Sequence, residues 1–180
     1  MRPVPQPIGT KYGVPGKMWA AGHHTGTDFL APVGTPIQSA TAGEVIEAQN
    51  GGGWGNAYGL HVVVRSTING RAYEVLYAHL DQRQVKVGDQ VKVGDVLGKT
   101  GATGNVTGPH LHFEVRTEPY RYGNDVDPAI AINVAAPPPP RSRVAKARDL
   151  LTAALAAAKR NGKTGRAKGL REALDQLPKK

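Results

Sequence analysis

The chain has 180 residues, no cysteine and a formal net charge of +9. Without cysteine there are no disulfides, thiolate metal clusters or thiol nucleophiles, so a metal site must be built from His, Asp, Glu or water, with six histidines to draw on. The charge excess is local: residues 1–140 hold 11 basic against 11 acidic side chains and residues 141–180 hold 12 against 3, while no apolar run is long enough to span a membrane.

The N-terminal run MRPVPQPIGTKYGVPG is rich in proline and glycine and lacks an apolar h-region, so no secretory signal is expected in it. GHHTGTDF (22–29) follows. His24 and Asp28 are four residues apart, but the two threonines and Gly26 between them disfavour a helix. A loop leading into a strand is predicted. It is either a turn in which His24 and Asp28 hydrogen-bond each other or a loop folded round an ion, with glycine allowing the bend.

The body, roughly 8–132, then alternates short runs rich in Val, Ile, Tyr and Thr with turn signals such as Asn69-Gly70, Gly88-Asp89 and Gly94-Asp95. TPIQSATAGEVIEA, GLHVVVRS, RAYEVLYAHL and HLHFEVRT read as antiparallel strands joined by tight turns, an all-β domain with almost no helix. His61 is read as a strand residue and His79 as the residue closing an apolar strand. The echo Val87-Gly88-Asp89 and Val93-Gly94-Asp95 predicts a bent strand pair with repeated turns. In GPHLHFEV, residues two apart share a strand face, so His110 and His112 should point at one spot and Leu111 into the core.

Four consecutive prolines in AAPPPPRSR (135–143) predict a stiff linker. Beyond it, Val144, Leu151, Leu155 and Ala158 fall on one helical face ending at Asn161-Gly162. Leu170, Leu174 and Leu177 fall on a second, so a small basic helical hairpin over 144–180 is predicted.

Taken singly, the histidine motifs are weak. Jointly, an imidazole and a carboxylate near the start and an imidazole pair near the end can converge to a His₂Asp set with one open position, the composition of a catalytic zinc site. His79 adds an imidazole able to orient and deprotonate water.

HTGTDF, APVGTPI, AGEVIEA, GWGN, YAHL, VKVGDVLGKTGATG and TGPHLHFEV, in this order over roughly residues 10–130, resemble the lysostaphin/LytM-type zinc endopeptidases of bacterial cell walls. The resemblance implies a mainly β peptidase domain (1–134) with a groove over an antiparallel sheet. It also implies Zn²⁺ held by His24, Asp28 and His112, and His79 and His110 as catalytic imidazoles. Asn56 and Tyr77 are the candidate substrate-binding residues. His23 fits the motif less well than His24, because only His24 pairs with Gly26 and Asp28, and it is expected to make no metal bond. One departure is visible: Ala57-Tyr58-Gly59 intervenes between GWGN and LHVVV, where the family runs straight into a strand, and it borders the expected groove.

The implied activity is hydrolysis of a peptide bond in peptidoglycan, in a glycine cross-bridge or a stem peptide. A non-catalytic wall-binding module on the same fold is the rival reading. Nucleic-acid binding by the basic tail is disfavoured, since residues 141–180 carry no aromatic side chain to stack bases. The tail is expected to meet anionic wall polymer or membrane lipid, the alternatives being a merely solvated or self-associating segment. The layout resembles phage endolysins made in the cytoplasm and released through holin pores. A virion-associated lysin or a bacterial wall-remodelling enzyme is the alternative.

Overall fold

The computed structural model describes residues 1–51, 55–118, 120–132, 151–152, 154–155 and 164–175. It divides into two compact units, Met1–Ala136 and Pro137–Lys180.

In the first unit the strands are β1 (Gly26–Phe29), β2 (Pro36–Gln38), β3 (Gly43–Asn50), β4 (Leu60–Ile68), β5 (Arg71–Ala78), β6 (Leu80–Arg83), β7 (Gln90–Val91), β8 (Val96–Thr100), β9 (Leu111–Thr117) and β10 (Asp125–Val126). A large sheet runs β1-β9-β5-β4-β3-β7 with β10 also on β9, and a small one runs β2-β8-β6. Every ladder among the described residues is antiparallel. Among the described residues, helical structure in this unit is one 3₁₀ turn, Asn56–Tyr58, and α1 (Ala129–Ile132).

Local chemistry sets the connections. Asn69 (φ 50°) and Gly70 (φ 80°) both sit in the left-handed region, as a two-residue turn matching the twist of β4 and β5 requires, and they fix the Ile68↔Arg71 register. The Val-Gly-Asp echoes are indeed repeated turns. In each, the aspartate caps the backbone three residues earlier, Asp89 Oδ2 accepting from Lys86 N (3.0 Å) and Asp95 Oδ2 from Lys92 N (2.8 Å). They do not make a strand pair, however: β7 joins β3 in the large sheet, whereas β8 joins β2 and β6 in the small one. The repeat moves the chain from one sheet to the other.

Alternation along the strands gives the large sheet two different faces. Phe29, Val62, Val64, Tyr77, Leu111, Phe113 and Val115 belong to the main core, with Ile37, Leu80 and Leu97 from the segments of the small sheet. Leu111 is fully buried, as the period-two pattern requires. The opposite face carries a small apolar group, Val63, Leu76 and Ala78, and beside it His112, Glu114 and Arg116 of β9.

In the second unit α2 spans Thr164–Asp175 and contains Leu170 and Leu174 of the predicted second helix. Leu151 and Leu155 of the first are helical. Val144, Ala158, Asn161, Gly162, Leu177 and the 135–143 linker lie outside the described residues. No helix among the described residues is long and apolar enough to cross a membrane.

Candidate metal centre

The register of β1 on β9 places Asp28 directly across from His112. His24 precedes β1 in an extended stretch held to the 13–14 segment by His24 N to Val14 O (2.9 Å) and Gly13 N to His24 O (2.9 Å). This local pairing brings three ligand-type atoms together. His112 Nδ1 lies 2.9 Å from Asp28 Oδ1, His24 Nε2 lies 3.1 Å from the same oxygen, and the two ring nitrogens are 3.1 Å apart. His24, Asp28 and His112 form the metal-capable cluster found among the described residues.

The hydrogen bonds behind the rings decide what these atoms can do. His24 Nδ1 faces the Lys11 carbonyl (3.0 Å), which can only accept, so Nδ1 carries the proton and Nε2 a lone pair. His112 Nε2 faces the Glu114 carboxylate (3.1 Å), so Nε2 donates and Nδ1 carries the lone pair. With the His112 ring neutral, three electron pairs therefore converge on one point, which either a cation or a proton shared between His112 Nδ1 and Asp28 can occupy. A cation reconciles them, and two imidazoles plus one carboxylate with oriented outer partners suit zinc. The same crowding gives His112 a strong pull on protons. Burial opposes a charged ring there, but hydrogen bonds to Asp28 and Glu114 outweigh it and lift the pKa to about 9. At Asp28 burial is likewise overridden, by His112 and His24, and the carboxyl is held well below its usual range.

Two more imidazoles face this point. His79 Nδ1 donates to Thr103 O (2.8 Å) and His110 Nδ1 to Gly108 O (2.9 Å), leaving each Nε2 as an acceptor. His110 Nε2 is 3.7 Å from Asp28 Oδ1, and the rings of His79 and His110 are 4.7 Å apart. His79 adopts φ 65°, a left-handed conformation that costs a non-glycine residue about 1–3 kcal/mol. Its backbone N–H to Tyr58 O (3.0 Å) and the ring bond to Thr103 hold it there. Burial, and then the charges of His112 and His110, push His79 down to about 3, so its ring is neutral at pH 7.

These residues line a cavity of about 560 Å³ whose rim includes Met18, Trp19, Tyr58, Val106 and Tyr122. Trp19 stacks against His24 with ring centroids 5.1 Å apart. Met18 is 76% exposed. The described lining contains no lysine or arginine.

Of the residues singled out from the sequence, His24, Asp28, His79, His110 and His112 are brought together. His23 turns away, to Asp125 (2.9 Å), and His61 is buried against Glu47 (3.2 Å) and the Gly59 carbonyl (2.8 Å). Tyr77 requires correction as a substrate-binding residue. It is fully buried in the main core, with its hydroxyl accepting from Ala40 N (2.8 Å). In an unbroken strand Tyr77 would share a face with His79; the left-handed turn at His79 cancels that alternation. Asn56 is exposed next to Ala57 and Tyr58 of the cavity lining, with its Oδ1 lying close to Gly51.

Tyr58 and Tyr122, not Tyr77, are tyrosines on the cavity, and Tyr58 lies within the Ala57-Tyr58-Gly59 insertion. Reading the sequence missed it, and missed Glu114. The insertion itself was the signal for Tyr58, and for Glu114 the signal was an acidic residue two positions from His112, on the same strand face.

The model of peptidase family M23 matches residues 22–128. Among curated relatives, the glycyl-glycine endopeptidase ALE-1 of Staphylococcus capitis is 39% identical over 107 residues, 59% of this chain and 28% of that protein. The peptidoglycan DD-endopeptidase ShyC of Vibrio cholerae is 45% identical over 91 residues, 51% of this chain and 19% of that protein. The chain thus spans less than a third of the length of either. Among solved structures, the catalytic domain of the antimicrobial peptidase lysostaphin from Staphylococcus simulans superposes with a TM-score of 0.64 at 30% identity, covering 72% of this chain and 93% of that one.

Proposed function

The chain belongs to peptidase family M23, whose metal is zinc, and from that membership we propose that it is a zinc-dependent endopeptidase acting on the peptide part of bacterial peptidoglycan. The observation that carries the reading is the convergence of His24 Nε2, Asp28 Oδ1 and His112 Nδ1, each presented as a lone pair, beside two further imidazoles whose Nε2 atoms are also acceptors.

When bound by His24, Asp28 and His112, zinc supplies Lewis-acid chemistry, making water more acidic and a carbonyl more electrophilic. The remaining work falls to the chain. His79 and His110 accept a proton at Nε2 from the attacking water and return it to the leaving amine, assistance typically worth about 10²–10⁴-fold. In protonated form they also stabilise the developing oxyanion. The backbone carbonyls of Thr103 and Gly108 keep both rings turned to the site. Trp19, Met18 and Tyr122 offer an apolar wall for the peptide.

Because the described lining has no cation to pair with a stem-peptide carboxylate, an uncharged stretch such as a glycine cross-bridge fits it better than a bond beside an ionised side chain. The basic segment 141–180 would hold the enzyme on anionic wall polymer or membrane lipid. The catalytic domain, proline linker and basic module suit a phage endolysin reaching the wall after holin-type release. The test is incubation of the zinc-loaded protein with purified peptidoglycans, glycine-bridged and directly cross-linked, and mass spectrometry of what is released. Loss of cross-linked muropeptides with new termini at one bond is expected. Intact walls of both kinds would refute the proposal.

A further inference from the structure

Glu114 is the most deeply buried acid near the site, with no exposed surface, and it lies one layer behind the metal ligands. It receives donors on every side. Oε2 accepts from His112 Nε2 (3.1 Å), Thr25 Oγ1 (2.7 Å) and Tyr58 OH (2.8 Å), and Oε1 from Arg116 Nε (2.7 Å). Arg116 also donates to Tyr58 OH (2.9 Å), closing the network.

We propose that Glu114 is a positioning residue that fixes the proton of His112 on Nε2, and that Tyr58, from the Ala57-Tyr58-Gly59 insertion, ties the cavity rim to it. The inference rests on the metal assignment above and goes past it to the residue that makes His112 a ligand.

The argument is one of donor counting. A carboxylate can only accept, and Thr25, Tyr58 and Arg116 are all turned to donate to it. His112 must therefore also donate, which leaves Nδ1 as its only lone pair, aimed at Asp28 Oδ1 and His24 Nε2. A glutamine of the same shape cannot do this. With its amide nitrogen at the Oε2 position it opposes the His112 N–H and forces the Thr25 and Tyr58 hydroxyls to turn, and with that nitrogen at Oε1 it opposes the Arg116 N–H. Either way a buried donor faces a donor, a costly arrangement relieved in the first case by moving or re-protonating His112 and in the second by displacing Arg116, the second anchor of the carboxylate. Arg116 meanwhile keeps the buried carboxylate from standing as an uncompensated charge.

The test compares zinc affinity of the full chain in metal-buffered titrations against a chelating dye. Glu114→Gln should bind zinc about 10–100-fold more weakly than the wild type. Glu47→Gln, whose carboxylate meets His61 and Gln49 on the same face of the sheet and touches none of the metal ligands in the bonds above, should stay close to wild type. Affinity of Glu114→Gln within about twofold of wild type overturns the proposal. Should that variant not fold, ¹⁵N NMR of the histidines in the zinc-loaded wild type decides: a proton on Nε2 of His112 supports the assignment, and one on Nδ1 overturns it. A wild type that binds no zinc would instead sink the metal reading beneath it, and neither measurement depends on peptidoglycan being cut.

Discussion

Gly26 is the residue whose enlargement should most directly dislodge the metal ligands. It sits on β1 opposite Glu114, two residues from the Asp28↔His112 pair. A Cβ built there would lie 2.6 Å from the Phe113 carbonyl oxygen and 2.7 and 2.8 Å from Cε1 and Nε2 of His112. Ordinary contact begins near 3.4 Å, so the imidazole or the strand must retreat by about 0.7 Å, whereas metal sites tolerate only about ±0.2 Å in ligand position. Gly26→Ala should therefore weaken zinc binding and cut peptidase turnover by about 10²-fold, besides costing about 1–3 kcal/mol of overpacking. Gly43→Ala supplies the comparison. Its Cβ, on β3 and away from the site, would run into the Arg65 carbonyl oxygen of β4, so it should lose stability and keep its zinc affinity. The assays are thermal unfolding, zinc competition and release of soluble fragments from walls. A Gly26→Ala protein that matches wild type in zinc affinity and turnover, or a Gly43→Ala protein that loses zinc equally, would refute the steric reasoning.

Three further outcomes are expected. His110→Ala should lose about 10²–10⁴-fold of wall lysis while retaining zinc, whereas His112→Ala should lose both; equal loss of zinc in the two would remove His110 from its assigned role. Because His79 is held neutral down to about pH 3 while its unfolded counterpart takes a proton near 6.5, the unfolded state binds more protons between those values. Stability from this group is then complete above about pH 6.5 and drains away as pH falls toward 3. His79→Asn, which tolerates the left-handed backbone, should show a shallower loss across that window in denaturant titrations, and parallel curves would count against it. Removing residues 141–180 should weaken binding to isolated walls or anionic vesicles most at low salt; unchanged binding with a flat salt response rejects the tail's assigned part.

The strands and hairpin turns were legible because each depends on local spacing, and the five converging residues because their motifs, each weak alone, follow the order of the family the chain resembles. His110 and His112 share a target through the two-residue period of β9, and Asn69-Gly70 has few conformations open to it. What was not legible depends on long-range geometry. Tyr77 looked like a groove residue because His79 was, and only the positive φ of His79 puts them on different faces. The Val-Gly-Asp echo predicts two turns equally well for one sheet or two, and the sheets that β7 and β8 join are set by β3 and β2, more than forty residues earlier in the chain. Glu114 carried no local sign of its importance beyond its parity with His112.

The four inward-facing histidines show how one fold can give identical side chains different work. Each is anchored through the ring nitrogen turned away from the centre. Three anchors are backbone carbonyls, at Lys11, Thr103 and Gly108, and the fourth is the Glu114 carboxylate. A carbonyl fixes orientation but adds no net charge. A buried carboxylate fixes orientation and also pushes electron density onto the ring, making His112 the most basic ligand of the set. Glu114 can do this because it stays ionised: burial opposes its charge, but His112, Arg116 and Thr25 hold its pKa below the ordinary carboxylate value. His79 lies at the other extreme, with a neutral anchor and a buried ring, and keeps its lone pair open for a proton. The division between ligand and base thus follows from what stands behind each ring.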